Sequence, residues 1–247
     1  MTEMILIGLA GVALIAAAVQ SATGLGFSLL LAPALLTAME PAQGVQVLIA
    51  LNLVIAAPMS WRLRRDASAP LLGVLAGGAV LGLPLGLWLF LAVDARLLMI
   101  SVATVILASV AVMASTKPNG GDEPATPPVL PSLFAGGVAG ALTVGLGLPG
   151  PALALFTRWA GLRRDRARAT ILSLYVLMYA AAATLQALIV GPGPAVARTS
   201  LILLPAVVAG VFLGDRFSHR LSEARFPTVL LLLVLASGLY LLIGGLL

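Results

Sequence analysis

Two interruptions of apolar sequence have the spacing that most directly suggests chemistry. The pattern Gly-Leu-Gly occurs at residues 24–26 inside an apolar stretch over 4–36, and again at 145–147 inside a stretch over 133–159. Lipid offers no hydrogen bonds, so a helix that breaks at membrane depth must turn its freed backbone groups toward protein or a wet cavity. The start of the following helix carries about half a positive charge. The chemistry predicted at both breaks is therefore the binding of a small anion.

Polar side chains around both breaks could complete such a site. Asn52 and Ser173 lie on the segments that follow, each 28 residues after the first glycine of its pattern. For every polar residue the other interpretation is an ordinary hydrogen bond between helices, the usual role of Ser, Thr, Asn and Gln in membranes. The predicted substrate-binding residues are Gln20, Ser21, Thr23, Gly24, Gly26, Phe27, Ser28, Asn52, Thr143, Gly145, Gly147, Gly150 and Ser173.

The composition indicates an all-α integral membrane protein. Of 247 residues, 61% are hydrophobic and 9% charged, and the mean hydropathy is +1.13; soluble domains have about 25% charged residues. At about 20 residues per span, one bundle of roughly eight segments uses nearly the whole chain. The start, Met1-Thr2-Glu3, lacks a basic region, so we expect the first stretch to be a retained span.

The same composition argues against an enzyme and against a metal site. The chain has no cysteine and one histidine, His219, in a basic loop. No catalytic set of acid, base and nucleophile is found, and no Asp, Glu, Lys or Arg is expected in the interior of a span, which disfavours cation paths. We predict no cofactor. The basic residues flank apolar segments, so the expected partners are a small anion and the bilayer rather than nucleic acid; the oligomeric state stays open.

Segment lengths and charge predict the architecture. Segments 26–39, 132–144 and 148–160 have about 13 residues, or roughly 20 Å of helix, and are too short to span a core of about 30 Å. If each broken stretch forms a hairpin that returns to its own side, all but Arg96 and Arg198 of the fourteen Lys and Arg face the cytoplasm.

Three further crossings per half would then make the halves inverted repeats. The predicted organisation is a first repeat over 1–114, a flexible cytoplasmic linker over 115–131 and a second repeat over 132–247. A second duplicated pattern, at 82–86 and 210–214, agrees with it, although close packing of small residues explains such spacing equally well.

The run Gly24-Leu25-Gly26-Phe27-Ser28-Leu29-Leu30-Leu31-Ala32-Pro33, with its second copy, resembles the TauE/SafE family of sulfite and organosulfonate exporters. The resemblance covers essentially the whole chain, although Ala154 stands at the counterpart of Pro33. It implies a multi-pass protein of the inner (plasma) membrane that exports a small sulfur oxyanion. The alternative is a membrane scaffold whose glycines only allow close packing, which would have continuous helices and no cavity at the breaks.

Overall fold

The computed structural model describes residues 3–24, 26–115, 127–217 and 226–246, and these form helices joined by short connections without a strand. Leu25, most of the expected linker and His219 lie outside the described residues. The helices in chain order are α1 Glu3–Thr23, α2 Phe27–Ala38, α3 Pro41–Leu63, α4 Ala69–Ala92, α5 Ala95–Ser115, α6 Val129–Leu146, α7 Gly150–Trp159, α8 Arg164–Ile189, α9 Val196–Phe217 and α10 Phe226–Leu246.

Seven helices in the described part of the chain are long and apolar enough to cross a bilayer, namely α1, α3, α4, α5, α6, α8 and α9. The protein is therefore a multi-pass membrane protein, as the composition predicts. The second arms of the two broken stretches are short, since α2 has 12 residues and α7 has 10. Helix α3 is the most buried of the seven candidate spans, and nine residues of α2 are buried beside it.

Arginines gather where α3, α7 and α9 end and α8 begins, and we call this the arginine-rich end of the bundle. Arg62 of α3 pairs there with Asp215 of α9. Arg168 of α8 donates a hydrogen bond to the carbonyl of Ser21, near the end of α1. These contacts place the last turns of α1, α3 and α9 beside the first turns of α8.

The opposite end joins the start of α3 to the connection between α8 and α9. The Gln46 amide donates to the Gly191 carbonyl at 3.0 Å and accepts from the Gly193 N–H at 3.0 Å. At the start of α5, Arg96 donates to the carbonyl of Gly245 in α10 at 2.9 Å. Helices α1 and α3 thus run toward the arginine-rich end, and α2 lies between them in the chain and returns toward the opposite end.

Small residues bring two helix pairs into backbone contact. A Cβ atom built on Gly82 of α4 would overlap the carbonyl of Gly137 in α6, and one built on Gly210 of α9 would overlap the carbonyl of Leu14 in α1. Only glycine permits this approach. The close-packing interpretation of the duplicated pattern is therefore confirmed for both copies.

One predicted half-helix is longer than expected. The segment expected at 132–144 is the 18-residue helix α6, which begins at Val129. Pro131 lies in its first turn, where the missing N–H removes no intrahelical hydrogen bond, so the proline does not delay the start of the helix. Each broken stretch thus has one full-length arm and one short arm.

Candidate functional site

Both expected helix breaks are present. Helix α1 ends at Thr23 and α2 begins at Phe27, with Gly24 at φ 83° and Gly26 at φ 116°. Residues with a side chain rarely adopt these angles, so the two glycines make the turn possible. Gly26 is the N-cap of α2.

A buried polar network surrounds the first break. The Gln20 side chain accepts the N–H of Phe27 at 3.0 Å and donates to the Asn52 oxygen at 3.4 Å. The Asn52 amide in turn donates to the Ser28 hydroxyl at 2.8 Å, and the Tyr179 side chain lies close to Ser28. Four of the predicted residues, Gln20, Phe27, Ser28 and Asn52, therefore lie together.

The network shows what the start of α2 can bind. The sequence predicts that the start of α2 is free to bind an anion. Instead, its first N–H donates a hydrogen bond to the amide oxygen of Gln20. That oxygen accepts a hydrogen bond at the positive end of a helix, which is also what an oxygen of a bound oxyanion would do. A ligand that uses this N–H must displace Gln20.

The second break lies between α6 and α7 and has a different environment. Gly147 adopts φ 71°, and a Cβ atom built on it would lie 3.4 Å from the Leu48 side chain of α3. Gly145 packs against the carbonyl of Gly86 in α4, at 3.2 Å from a built Cβ. The Thr143 hydroxyl donates to the backbone of its own helix at 2.6 Å. These residues form the turn and its packing, while Gly150 begins α7.

A cavity of about 250 Å³ lies between the two breaks. Gly26 borders it at the first break, and Gly150, Pro151 and Ala152 border it at the start of α7. Ser109 and Arg158 are the polar residues among those that line it. The other lining residues are Leu29, Val105, Ala108, Val112, Val138, Leu142, Ala154, Leu155, Leu231 and Val234.

Thr23, Ser173 and Ser21 lie near the first break or on the helix after the second, but outside the buried network. The Thr23 hydroxyl donates to the Val19 carbonyl of its own helix at 2.8 Å. Ser173 contacts the Ser60 hydroxyl at 3.1 Å, so its position matches that of Asn52 in spacing but not in surroundings. Ser21 points toward the arginine-rich end.

Ser21 belongs to a charged cluster formed with Arg62, Arg168 and Asp215. Its hydroxyl donates to the Asp215 carboxylate at 2.6 Å, Arg62 pairs with the same carboxylate, and Arg168 donates to the Ser21 carbonyl. A Cβ atom built on Gly24 would lie 2.9 Å from the Arg168 side chain. The cluster therefore covers the first break from the arginine-rich end.

Asp215 and Tyr179 lie near the first break but were not predicted from the sequence. Asp215 lies in the last turn of α9, outside the interior of the span as we expected of ionisable side chains, and it is paired with Arg62. Tyr175 and Tyr179 are fully packed in the core, with ring centroids 5.5 Å apart. Their spacing of four residues places both on one helix face, a signal that the sequence did contain.

Comparison with known proteins gives one match. None of the curated proteins or solved structures compared with the chain matches it. The family model described as "Sulfite exporter TauE/SafE" matches residues 9–241. Because that match covers nearly the whole of a multi-pass helical protein, the chain belongs to the sulfite exporter TauE/SafE family, whose members are membrane transporters rather than enzymes.

Proposed function

We propose that this protein exports sulfite or a short organosulfonate by alternating access, with the anion bound between the two helix breaks. The observation that carries the proposal is the cavity bordered by Gly26 and by the first residues of α7. Helix starts favour anions by about 0.3–2 kcal/mol each. Two starts near one cavity provide this stabilisation, and Arg158 adds a positive charge to the lining.

The lining of the cavity supports an anion that carries a short apolar group. Most lining residues are apolar, and the cavity of about 250 Å³ leaves space beside a small oxyanion. A sulfonate could lie at the start of α7 while its carbon chain contacts side chains such as Leu29 and Leu155. The free energy gained is about 0.8 kcal/mol per buried CH₂. Within the proposal, an alkylsulfonate is therefore preferred to sulfite.

Helix pairing supports inverted halves made of α1–α5 and α6–α10, the second of which begins at Val129 and not at the predicted residue 132. Helix α1 packs on α9 and α4 packs on α6, whereas α3 packs on α8 and α5 on α10. If α1–α5 are exchanged in order for α6–α10, the pair α1 and α9 becomes the pair α6 and α4. The same exchange leaves the pair α3 and α8 and the pair α5 and α10 unchanged. A two-fold relation between the halves would produce this pattern, and rocking of such halves gives alternating access.

Within the proposal, the charged cluster keeps the arginine-rich end of the bundle closed during one stage of the transport cycle. Ser21 and Arg62 come from the first half, and Arg168 and Asp215 come from the second half. Separation of the halves at the arginine-rich end must break these contacts. Since basic residues favour the cytoplasmic side, we place this end at the cytoplasmic face of the plasma membrane, where an exporter takes up its substrate.

The test is efflux from proteoliposomes loaded with radiolabelled sulfite or with a short alkylsulfonate. The proposal predicts saturable efflux above that of protein-free liposomes, lost in Gly26→Leu. Gly11→Leu is the matched control, because Gly11 is an exposed helical residue with open space around its Cβ position. Absence of wild-type efflux, or equal loss in both variants, would contradict the proposal.

A further inference from the structure

An arginine is among the mostly apolar residues that line the cavity between the two breaks. Arg158 lies in the last turn of α7, at the arginine-rich end of the bundle, and it is partly exposed. Gly150, which begins the same helix, borders the same cavity. Arg158 is the eighth residue after Gly150, roughly 12 Å along the helix. The cavity therefore extends along α7 from the second break toward the arginine-rich end.

The helices around α7 give the cavity the same direction. Helix α5 begins at the opposite end of the bundle, where Arg96 contacts α10, and its lining residues run from Val105 to Val112 toward the arginine-rich end. Helix α10 ends at that opposite end, so Leu231, near its start, lies on the arginine-rich side of the cavity. An anion that comes from the arginine-rich end therefore passes Arg158 before it reaches the helix starts.

Arg158 gives the cavity a positive potential. Among the described residues that line the cavity it is the one with a charged side chain, and Ser109 is the other polar residue. Apolar walls screen a charge less than bulk water does, so the guanidinium acts over a longer range there. In a helix the Cα–Cβ bond tilts toward the N-terminus, so the Arg158 side chain leaves α7 in the direction of Gly150. Both ends of α7 thus attract an anion into the cavity.

We propose that Arg158 makes the cavity selective for anions and is the first residue to bind a sulfonate that enters from the arginine-rich end. A guanidinium presents paired N–H donors in a fork that fits two oxygens of one oxyanion, as it does for carboxylate and phosphate. The sulfonate then moves along α7 to its start, while its carbon chain stays against the apolar lining. The identity of the anion rests on the proposed function, whereas the charge selectivity of the cavity is measurable without transport.

The test compares two thiol reagents of opposite charge at one position in the cavity of the purified full-length protein. The chain has no cysteine, so Ser109→Cys supplies a single thiol, and Ser109 is 6% exposed, so a reagent must enter the cavity to reach it. The reagents are sulfonatoethyl methanethiosulfonate, itself a short alkylsulfonate, and its trimethylammonium analogue. Each rate constant is divided by the rate constant for a free thiol in solution. The proposal predicts a ratio of anionic to cationic rate above one.

Removing the charge of Arg158 should remove this preference. With Arg158→Gln added to Ser109→Cys, we expect the ratio to fall about 4- to 15-fold, the effect of unit charges about 10 Å apart at a dielectric constant of about 40–80. Arg158→Lys keeps the charge and should keep most of the preference. The matched control, Arg163→Gln, removes a charge at the same end of the bundle from an exposed residue that is not among the lining residues. Because solvent and salt screen that charge, the ratio should change by less than about twofold.

An unchanged ratio in Arg158→Gln would overturn the proposal and leave Arg158 the role of stabilising the negative end of α7. An equal fall in Arg158→Gln and Arg163→Gln would overturn it as well, because the preference would then come from the surface as a whole. If Arg158→Gln does not fold, the ratio in Ser109→Cys alone decides the matter: a value above one supports the selectivity, and a value of one or less excludes it. Each result stands whether or not the protein exports sulfite.

Discussion

Replacing Asn52 by leucine tests the contribution of the polar network separately from that of the rest of the fold. Asn52 is 1% exposed, and its amide joins Gln20 of α1 to Ser28 of α2. Its third bond, to the Leu48 carbonyl at 2.8 Å, stays within α3. Side-chain hydrogen bonds between membrane helices contribute about 0.6 kcal/mol on average and about 1.7 at most. Losing two should therefore lower the free energy of unfolding by about 1–3 kcal/mol.

Transport should fall as well, because Asn52 holds Gln20 and Ser28 in place around the start of α2, one of the two helix starts proposed to bind the anion. A helix start favours an anion by about 0.3–2 kcal/mol, so losing that contribution lowers efflux about 2- to 30-fold below saturation. The assay is initial-rate efflux of labelled alkylsulfonate from proteoliposomes, with Tm measured on the same preparations.

A control on the same helix separates a site effect from a stability effect. Gln46→Leu also removes two hydrogen bonds, at the opposite end of the bundle. We expect a comparable loss of Tm with efflux near the wild-type rate. Wild-type efflux in Asn52→Leu, or the same loss of efflux in both variants, would refute a role of the polar network in anion binding at the start of α2.

Three further predictions concern the cluster, the packing and the second break. The chain has no cysteine, so the single substitution Ser109→Cys places a thiol reporter in the cavity. Adding Asp215→Asn should speed the labelling of this thiol by an impermeant reagent, because it weakens the charged cluster. An unchanged labelling rate would argue against a closed cytoplasmic side. Gly82→Leu should lower Tm strongly because it forces α4 from α6, whereas Gly73→Leu, with open space at its Cβ, should not; equal melting temperatures would disprove the packing. Gly147→Ala should cost about 1–2 kcal/mol in denaturant unfolding because φ is 71°, and no cost would mean that the turn can rearrange.

The features that the sequence predicts well are set by neighbouring residues. A glycine pair inside an apolar stretch weakens the helix locally, so both breaks occur at the expected places. Apolar length likewise determines which segments can span a bilayer. The start of α6 was missed because the predicted linker extended to residue 131, although a first turn accepts Pro131.

Contacts between distant segments were not predictable from one sequence. Ser21 and Asp215 are 194 residues apart, and nothing near either residue indicates that they meet. Duplication also misleads at the level of side chains. Ser173 and Asn52 share a spacing, but Ser173 meets Ser60 instead of a break. Inheriting a position in a repeat does not fix the surroundings of that position.

The most direct test of the anion site uses a ligand that can be located by its own scattering. A crystal of the protein with bromoethanesulfonate should give an anomalous bromine peak inside the cavity, near Leu29 and Leu155, with the sulfonate at the start of α7. A peak confined to the arginine-rich end, or none in the cavity of a ligand-saturated crystal, would contradict the account.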